Sequence, residues 1–441
     1  MLLSKIPNYY QERREQLYKA YPDAVFIFPA HPDLIRNSDV HHPYRQDSNF
    51  YYLSGFDEAN SFLVLAPPSK RRPSSPRMIL FVAPRDPEKE MWEGERYGVE
   101  GAQAVFGADE AYVVSEFDKR LPEILLGSER VFYRLGLNSD MDRRVTSVLE
   151  IYRMSQGRTG KAMMPIQDPH LPVGEMRLFK NEAEIDLMRK GCQITALAHR
   201  EAMKQIRPGM NECELEALVD YLFRKEGCAR LGYGSIVAGG KNAACLHYRF
   251  NNDTLRDGEL VLIDAGGEYG YYSADITRTF PIGKRFTSGQ AKAYNLVLKA
   301  QKSAIAMAKP GAKLPDIHKH ICEVMIDGLL SLGLLKGKLD EILGSGGYRR
   351  FYPHNTSHWL GLDVHDAGLY YKDGTPRSLE PGMVFTIEPG FYVQPTDLDV
   401  PAEYRNIGIR IEDDILITEG GCENLTILAP KEIKEIEALR A

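Results

Sequence analysis

The chain has 441 residues, 43% of them hydrophobic and 26% charged, with a net charge of −6. That length allows two or three ordinary domains, the composition is that of a soluble globular protein, and the acidic balance gives no electrostatic footprint for nucleic acid. No run approaches the 18 apolar residues of a membrane span. The opening Met-Leu-Leu-Ser-Lys-Ile-Pro lacks the apolar core of a secretory signal, and six scattered cysteines without a CxxC pair suit the reduced thiols of a cytoplasmic protein.

Residues 1–172 read as a smaller N-terminal α/β domain. A helix is expected over residues 11–21, and short buried strands over 24–30, 61–66 and 78–83. Residues 67–77, rich in Pro, Ser and basic residues, read as an exposed loop. Residues 157–174, dense in Gly, Pro and Met without periodicity, read as a linker. Residues 175–441 then form a second domain. Asn181 and Glu184 have the spacing of a capping box and open a helix reaching Ile206, where Pro208-Gly209 ends it. Further elements follow as a helix over 212–225, a strand over 259–265, turn chemistry at 266–270 and a strand over 271–281. Helices at 288–308 and 314–332 precede β segments at 383–393 and 407–418. The order of helices, hairpin, helices, hairpin describes a pseudo-symmetric α+β domain.

Two stretches carry that symmetry. Leu255-Arg-Asp-Gly-Glu-Leu-Val-Leu-Ile-Asp-Ala-Gly266 lines up with Leu379-Glu-Pro-Gly-Met-Val-Phe-Thr-Ile-Glu-Pro-Gly390, at an offset of 124 residues. Each ends an apolar run with an acid, Asp264 or Glu388. A carboxylate at the end of a core strand is costly to bury unless it is paired or holds a metal. Asp275 follows Asp264 across the Gly-rich turn, and Glu412 follows Glu388. Four acids would therefore sit on four strands, repelling one another unless cations neutralise them. His354, His358 and His365 cluster in the segment before the second copy, and His247 precedes the first hairpin. One imidazole with four carboxylates suits Mn²⁺, Fe²⁺ or Co²⁺, and Zn²⁺ less exclusively. Two such ions could activate a water between them. Taken singly, each residue has a plainer reading. A strand-end acid can be a cap, His-x-x-x-His a helix surface, and Glu412-Asp413-Asp414 a solvated charge cluster.

Together, Asp264, Ser273-Ala-Asp-Ile-Thr-Arg-Thr-Phe280, Ser357-His-Trp-Leu-Gly-Leu-Asp-Val-His-Asp366, Thr386-Ile-Glu-Pro-Gly390 and Gly408-Ile-Arg-Ile-Glu-Asp-Asp414 resemble the pita-bread metallopeptidases. Within that group the chain is most similar to bacterial-type aminopeptidase P, the Xaa-Pro aminopeptidases. Tyr44-Arg-Gln-Asp-Ser-Asn-Phe-Tyr-Tyr-Leu-Ser-Gly-Phe56 resembles their N-terminal domain, and Glu175-Met-Arg-Leu-Phe-Lys180 their domain junction. The resemblance implies a dinuclear site, most simply with two Mn²⁺. Asp264 would chelate one ion, His358 and Glu388 the other, and Asp275 and Glu412 would bridge them. A hydroxide between the ions would attack the scissile carbonyl, releasing the residue before a proline in the second position. Glu388 would carry the proton, and His365 would stabilise the oxyanion. His247 and His354 would line the proline pocket, and Arg410, Tyr392 and Thr277 would support the ligands. Tyr233 and Trp359 are further candidate pocket walls. Trp92 would reach a neighbouring subunit's site in a homodimer or homotetramer, its plainer reading being a buried core tryptophan. Asp39 would lie near the substrate amine, its plainer reading being a cap or loop acid. A prolidase shares the metal set and is the near alternative, and a metal-free pita-bread binding module a more distant one. Methionine aminopeptidases usually lack so long an N-terminal domain.

Overall fold

The computed structural model describes residues 7–68, 77–160 and 162–440. Most of the loop expected at 67–77 lies outside them. The chain divides into two compact units, Met1–Met176 and Arg177–Ala441.

In the first unit, helix α1 (Tyr9–Ala20) precedes a six-stranded mixed sheet. Its strands are β1 (Ala24–Pro29), β2 (Phe62–Ala66), β3 (Arg77–Val82), β4 (Glu110–Val113), β5 (Arg130–Phe132) and β6 (Ile166–Gln167), in spatial order β4-β3-β2-β1-β5-β6. The central strands are continuous apolar runs because both faces of the sheet are covered. Val25, Ile27, Val64, Phe81, Phe117 and Val131 share one core. The stretch 157–174 carries more structure than a linker. Ile166 packs on that core, β6 pairs in parallel with β5, and a helix, His170–Leu178, starts before the stretch ends. A two-residue strand is too short for periodicity to reveal.

The second unit begins with α2 (Glu182–Gln205). Its capping box is formed, with Asn181 and Glu184 each accepting the other's backbone N–H at 3.0 Å. Helix α3 (Glu212–Lys225) follows, then β7 (Ile236–Gly239), β8 (Leu260–Ala265) and β9 (Ile276–Pro281), an antiparallel sheet with β8 in the middle. The second half repeats the plan with α4 (Ser288–Ile305), α5 (Leu314–Ser331), β10 (Val384–Ile387), β11 (Gly390–Tyr392), β12 (Gly408–Arg410), β13 (Asp413–Thr418) and β14 (Gly421–Asn424). Strand β13 lies between β10 and β14, and β11 pairs with β12. Val261, Ile263, Val297, Ile321, Phe385 and Ile415 belong to one apolar core that spans both halves.

The repeat is visible in backbone bonds. Gly209 N–H donates to Leu255 O at 2.9 Å, and Gly311 N–H to Leu379 O at 2.8 Å. Asn211, which caps α3, bridges to Thr254; Lys313, at the start of α5, bridges to Ser378. The glycines that end the two copies have steric reasons to be there. A Cβ on Gly266 would lie 1.7 Å from Ala274 O, and one on Gly390 would lie 2.5 Å from Tyr392 Oη. The first clash would push apart the two chain segments that meet behind Asp264, and the second would displace the Tyr392 ring.

The structure departs from the expected long strands at informative places. Residues 271–281 break between Ser273 and Ile276, 383–393 between Ile387 and Gly390, and 407–418 between Arg410 and Asp413. Asp275, Glu388 and Glu412 occupy those breaks. There the chain leaves one pairing partner for another, and each break frees a side chain to turn inwards.

Candidate metal centre

Backbone register brings the acids together. On β8 and β9, Asp264 stands opposite Thr277, and Ala265 opposite Ile276, so Asp275 lies just beyond the end of the ladder. The His358 segment runs beside β10. Thr386 N–H donates to His358 O at 3.0 Å and Glu388 N–H to Thr356 O at 2.9 Å, which places His358 next to Glu388. The halves are then joined by Glu412 N–H, which donates to Thr277 O at 3.1 Å.

All five residues line one cavity of about 1300 Å³, together with Tyr233, His247, His354, His365 and Arg410. Asp275, His358 and Glu412 can each present one ligand atom with all three atoms inside 4.8 Å of one another. His358 Nε2 lies 3.5 Å from Asp275 Oδ2 and 3.6 Å from Glu388 Oε1. Its Nδ1 faces Trp359 O at 3.1 Å, which leaves Nε2 for the cluster.

The electrostatics show what the site lacks. Burial, and then the neighbouring carboxylates, push Glu412 well above the usual range. Burial pushes Glu388 up to about 8, only partly opposed by His358 and Arg410. Burial, and then Asp264, raise Asp275. Burial would lower His358, yet Asp275 and Glu388 pull it up to about 9. Four inward carboxylates have one arginine and one imidazole to offset them. This donor set fits divalent cations, which would stabilise the charged forms of all four.

Around the acids runs a hydrogen-bonded shell. Arg410 donates to Asp264 Oδ2 at 2.5 Å, to Thr277 Oγ1 at 3.0 Å and to Tyr392 Oη at 3.0 Å. Thr277 Oγ1 donates to Glu412 Oε2 at 2.6 Å, and His354 Nε2 meets Tyr392 Oη at 2.9 Å. Burial, and then Arg410, lower His354 to about 3, so it is neutral. His365 stands against His358 with ring centroids 4.3 Å apart; burial, and then His358, lower it too. Trp359 is buried, with its edge to Phe385 and its face to Tyr370.

Other residues fall elsewhere or do more than the sequence suggested. Trp92, on the helix Pro87–Glu93 of the first unit, is 86% exposed and so is no core tryptophan. Asp39 is an exposed residue in the turn joining the strands Ile35–Asn37 and Val40–His41. Tyr233 is more than a wall, because its hydroxyl reaches Asp264 Oδ1 at 2.6 Å and Asp275 Oδ1 at 2.5 Å. The flanking Gly232 and Gly234 were the only local hint of a constrained tyrosine. Asp413 and Asp414 are fully buried, which overturns the reading of Glu412-Asp413-Asp414 as a solvated cluster.

Comparison with known proteins agrees with this geometry. Residues 186–419 match the model of metallopeptidase family M24, and residues 10–133 match the aminopeptidase P N-terminal domain. The chain is 42% identical to the Xaa-Pro aminopeptidase of Escherichia coli (strain K12), over 98% of this chain and 97% of that one. It is similar to the structure of Pseudomonas aeruginosa aminopeptidase PepP, with a TM-score of 0.94 and 43% identity over 99% of both chains. Zn-substituted E. coli aminopeptidase P in complex with product also gives a TM-score of 0.94, at 41% identity over 99% of both chains. The chain therefore belongs to metallopeptidase family M24, in the two-domain form whose N-terminal part is that of aminopeptidase P.

Proposed function

We propose that this protein is an Xaa-Pro aminopeptidase that releases the first residue of peptides with proline in second position. The observation that carries the proposal is the convergence of Asp264, Asp275, His358, Glu388 and Glu412 on one cavity. These five would hold two divalent ions, of which Mn²⁺ suits the oxygen-rich set best. When bound, such ions polarise a carbonyl and lower the pKa of water.

The chain's own groups supply the rest. Glu388, at the wall of the cavity, would take and return the proton. His365, held neutral, has an N–H to offer a developing oxyanion. His354 and His247 border the space for the proline ring, and Tyr392 and Arg410 keep His354 and Asp264 in place. An imide bond before proline has no N–H, so recognition rests on shape rather than on a backbone donor. Ile236 and Leu246, which line this cavity and share one small apolar cluster with Tyr392, supply such a shape.

Near-complete coverage of relatives named Xaa-Pro aminopeptidase supports this reading over a prolidase. We also propose a cytoplasmic homodimer or homotetramer. Exposed Met91 and Trp92 on one short helix, and cysteines that are all free, agree with it. Among the described residues no helix is long and apolar enough to cross a membrane. Trp92 would face a neighbouring subunit's site, and Asp39 the substrate amine. The deciding assay offers Xaa-Pro-Yaa, Xaa-Pro and Xaa-Ala-Yaa peptides in Mn²⁺. Cleavage of the first at the Xaa–Pro bond is expected, and cleavage of the dipeptide alone would make the enzyme a prolidase.

A further inference from the structure

Glu412 is followed by two acids that line no part of the cavity, yet both are fully buried. Burying two extra carboxylates beside a site already crowded with them is costly unless they hold something in place. Their partners lie on both halves of the repeat. Arg278, also fully buried, donates to Asp413 Oδ1 at 2.6 Å, to Glu412 O at 2.6 Å and to Thr277 O at 2.9 Å. Its remaining donors reach Ala429 O at 3.0 Å and Pro430 O at 3.1 Å. One guanidinium thus grips the chain beside both Asp275 and Glu412. Asp413 is held in turn by Gln301 at 2.7 Å, Asn424 at 2.8 Å and Thr426 at 3.0 Å, and by Lys431. Asp414 completes the link. Its Oδ2 accepts the backbone N–H of Asp275 at 3.0 Å and the thiol of Cys192 at 3.3 Å. Strand breaks at Asp275 and Glu412 leave those two residues outside their own ladders, where the bond from Glu412 N–H to Thr277 O and the hydroxyls of Thr277 and Tyr233 share the work of spacing them.

We propose that Arg278, Asp413 and Asp414 form a brace across the two halves that sets the separation of the Asp275 and Glu412 carboxylates. They are positioning residues for a metal pair that they do not touch. The inference rests on the ligand assignment proposed above. A planar fork with five N–H donors is required, because the three donors of an ammonium cannot serve Asp413 and four carbonyls at once.

The test is Mn²⁺ titration of chelator-treated protein by calorimetry, with melting and tripeptide kinetics recorded for each variant. Arg278→Lys keeps the charge but not the fork, and Asp414→Ala removes the acceptor for Asp275 N–H. Each is expected to weaken Mn²⁺ binding by at least about tenfold and to lower kcat more than KM. Asp414→Asn retains an acceptor oxygen and is expected to restore affinity to within about threefold of wild type. Wild-type affinity in a folded Arg278→Lys variant would overturn the brace. So would equal losses in Asp414→Asn and Asp414→Ala, which would trace the effect to charge. If Asp414→Ala fails to fold, the contrast between Arg278→Lys and Asp414→Asn decides. A wild-type protein that binds no Mn²⁺ would instead overturn the ligand assignment.

Discussion

Asp275 and Glu412 face the same space from opposite halves of the repeat, and in the proposed site they would be the ligands shared by both ions, the hardest to replace. Asp275→Ala or Glu412→Ala is expected to abolish both peptidase activity and metal retention, read by assay and elemental analysis after dialysis. Full activity in either variant after chelator treatment would contradict a dinuclear site. In the proposed mechanism His365 would play a different part, donating a bond that matters once charge develops. His365→Ala should lower kcat by about 10²- to 10³-fold with metal content unchanged. At this scale much was legible in the sequence, because acids are rare in apolar strand contexts, so that Glu388 stood out in Thr386-Ile-Glu-Pro-Gly390, and three of the histidines cluster at 354, 358 and 365. Tyr233 was legible only as a wall, since a tyrosine hydroxyl carries no sign of which carboxylates it will reach. The burial of Asp413 and Asp414 was hidden for a similar reason. Asp413 pairs with Arg278, 135 residues away, and Asp414 accepts from the Asp275 N–H and the Cys192 thiol, so nothing local announces either burial.

Between residue and fold lie the elements that aim the site. The chain entering the second unit is tied to the His365 loop by charge. Buried Arg177 and Lys180 converge on buried Asp366, with Lys180 Nζ at 3.1 Å. These two cations hold Asp366 below the ordinary carboxylate range against the opposing effect of burial. Removing the acid alone would strand a buried ammonium, so Asp366→Ala should cost about 3–5 kcal/mol. Thermal melting should register that as a drop of roughly 10 °C. A loss under about 1 kcal/mol would mean that solvent reaches the cluster. The long helices of the second unit were well placed by the sequence, because the capping box at Asn181 and the Pro-Gly after Ile206 act locally, whereas the first unit's Ser139–Ser155 helix was missed. The strands were drawn too long at 271–281, 383–393 and 407–418. Apolar residues flank each break, and periodicity cannot see a change of hydrogen-bonding partner.

For the molecule as a whole, the repeat supplies a cradle whose two copies differ where chemistry needs direction. Asp264 ends a strand that is paired on both edges. Glu388 follows a strand whose second neighbour is the irregular His358 segment. The 124-residue offset made the symmetry legible, while the asymmetry emerges only from register. The same sheet bears on pH stability through His199, on α2. Its Nε2 meets Ala265 O at 3.1 Å, and its buried Nδ1 has no partner among the described residues. Burial lowers this histidine from 6.5 to about 4. The folded state resists protonation that the unfolded chain accepts, so the contribution is complete above pH 6.5 and is lost as pH falls towards 4. The loss should total about 3 kcal/mol. Denaturant melts of metal-depleted wild type and His199→Gln across that range should converge at the acid end. Parallel curves would show that His199 does not titrate there.

The central claim is a two-ion centre that acts on Xaa-Pro peptides, and one paired measurement addresses it most directly. Elemental analysis of the purified protein, with a tripeptide assay on the same sample before and after chelation and Mn²⁺ addition, reads both halves of the claim. Two ions per chain, loss of Xaa–Pro cleavage on chelation and its return with Mn²⁺ are expected. Undiminished cleavage in protein shown to be metal-free would contradict it.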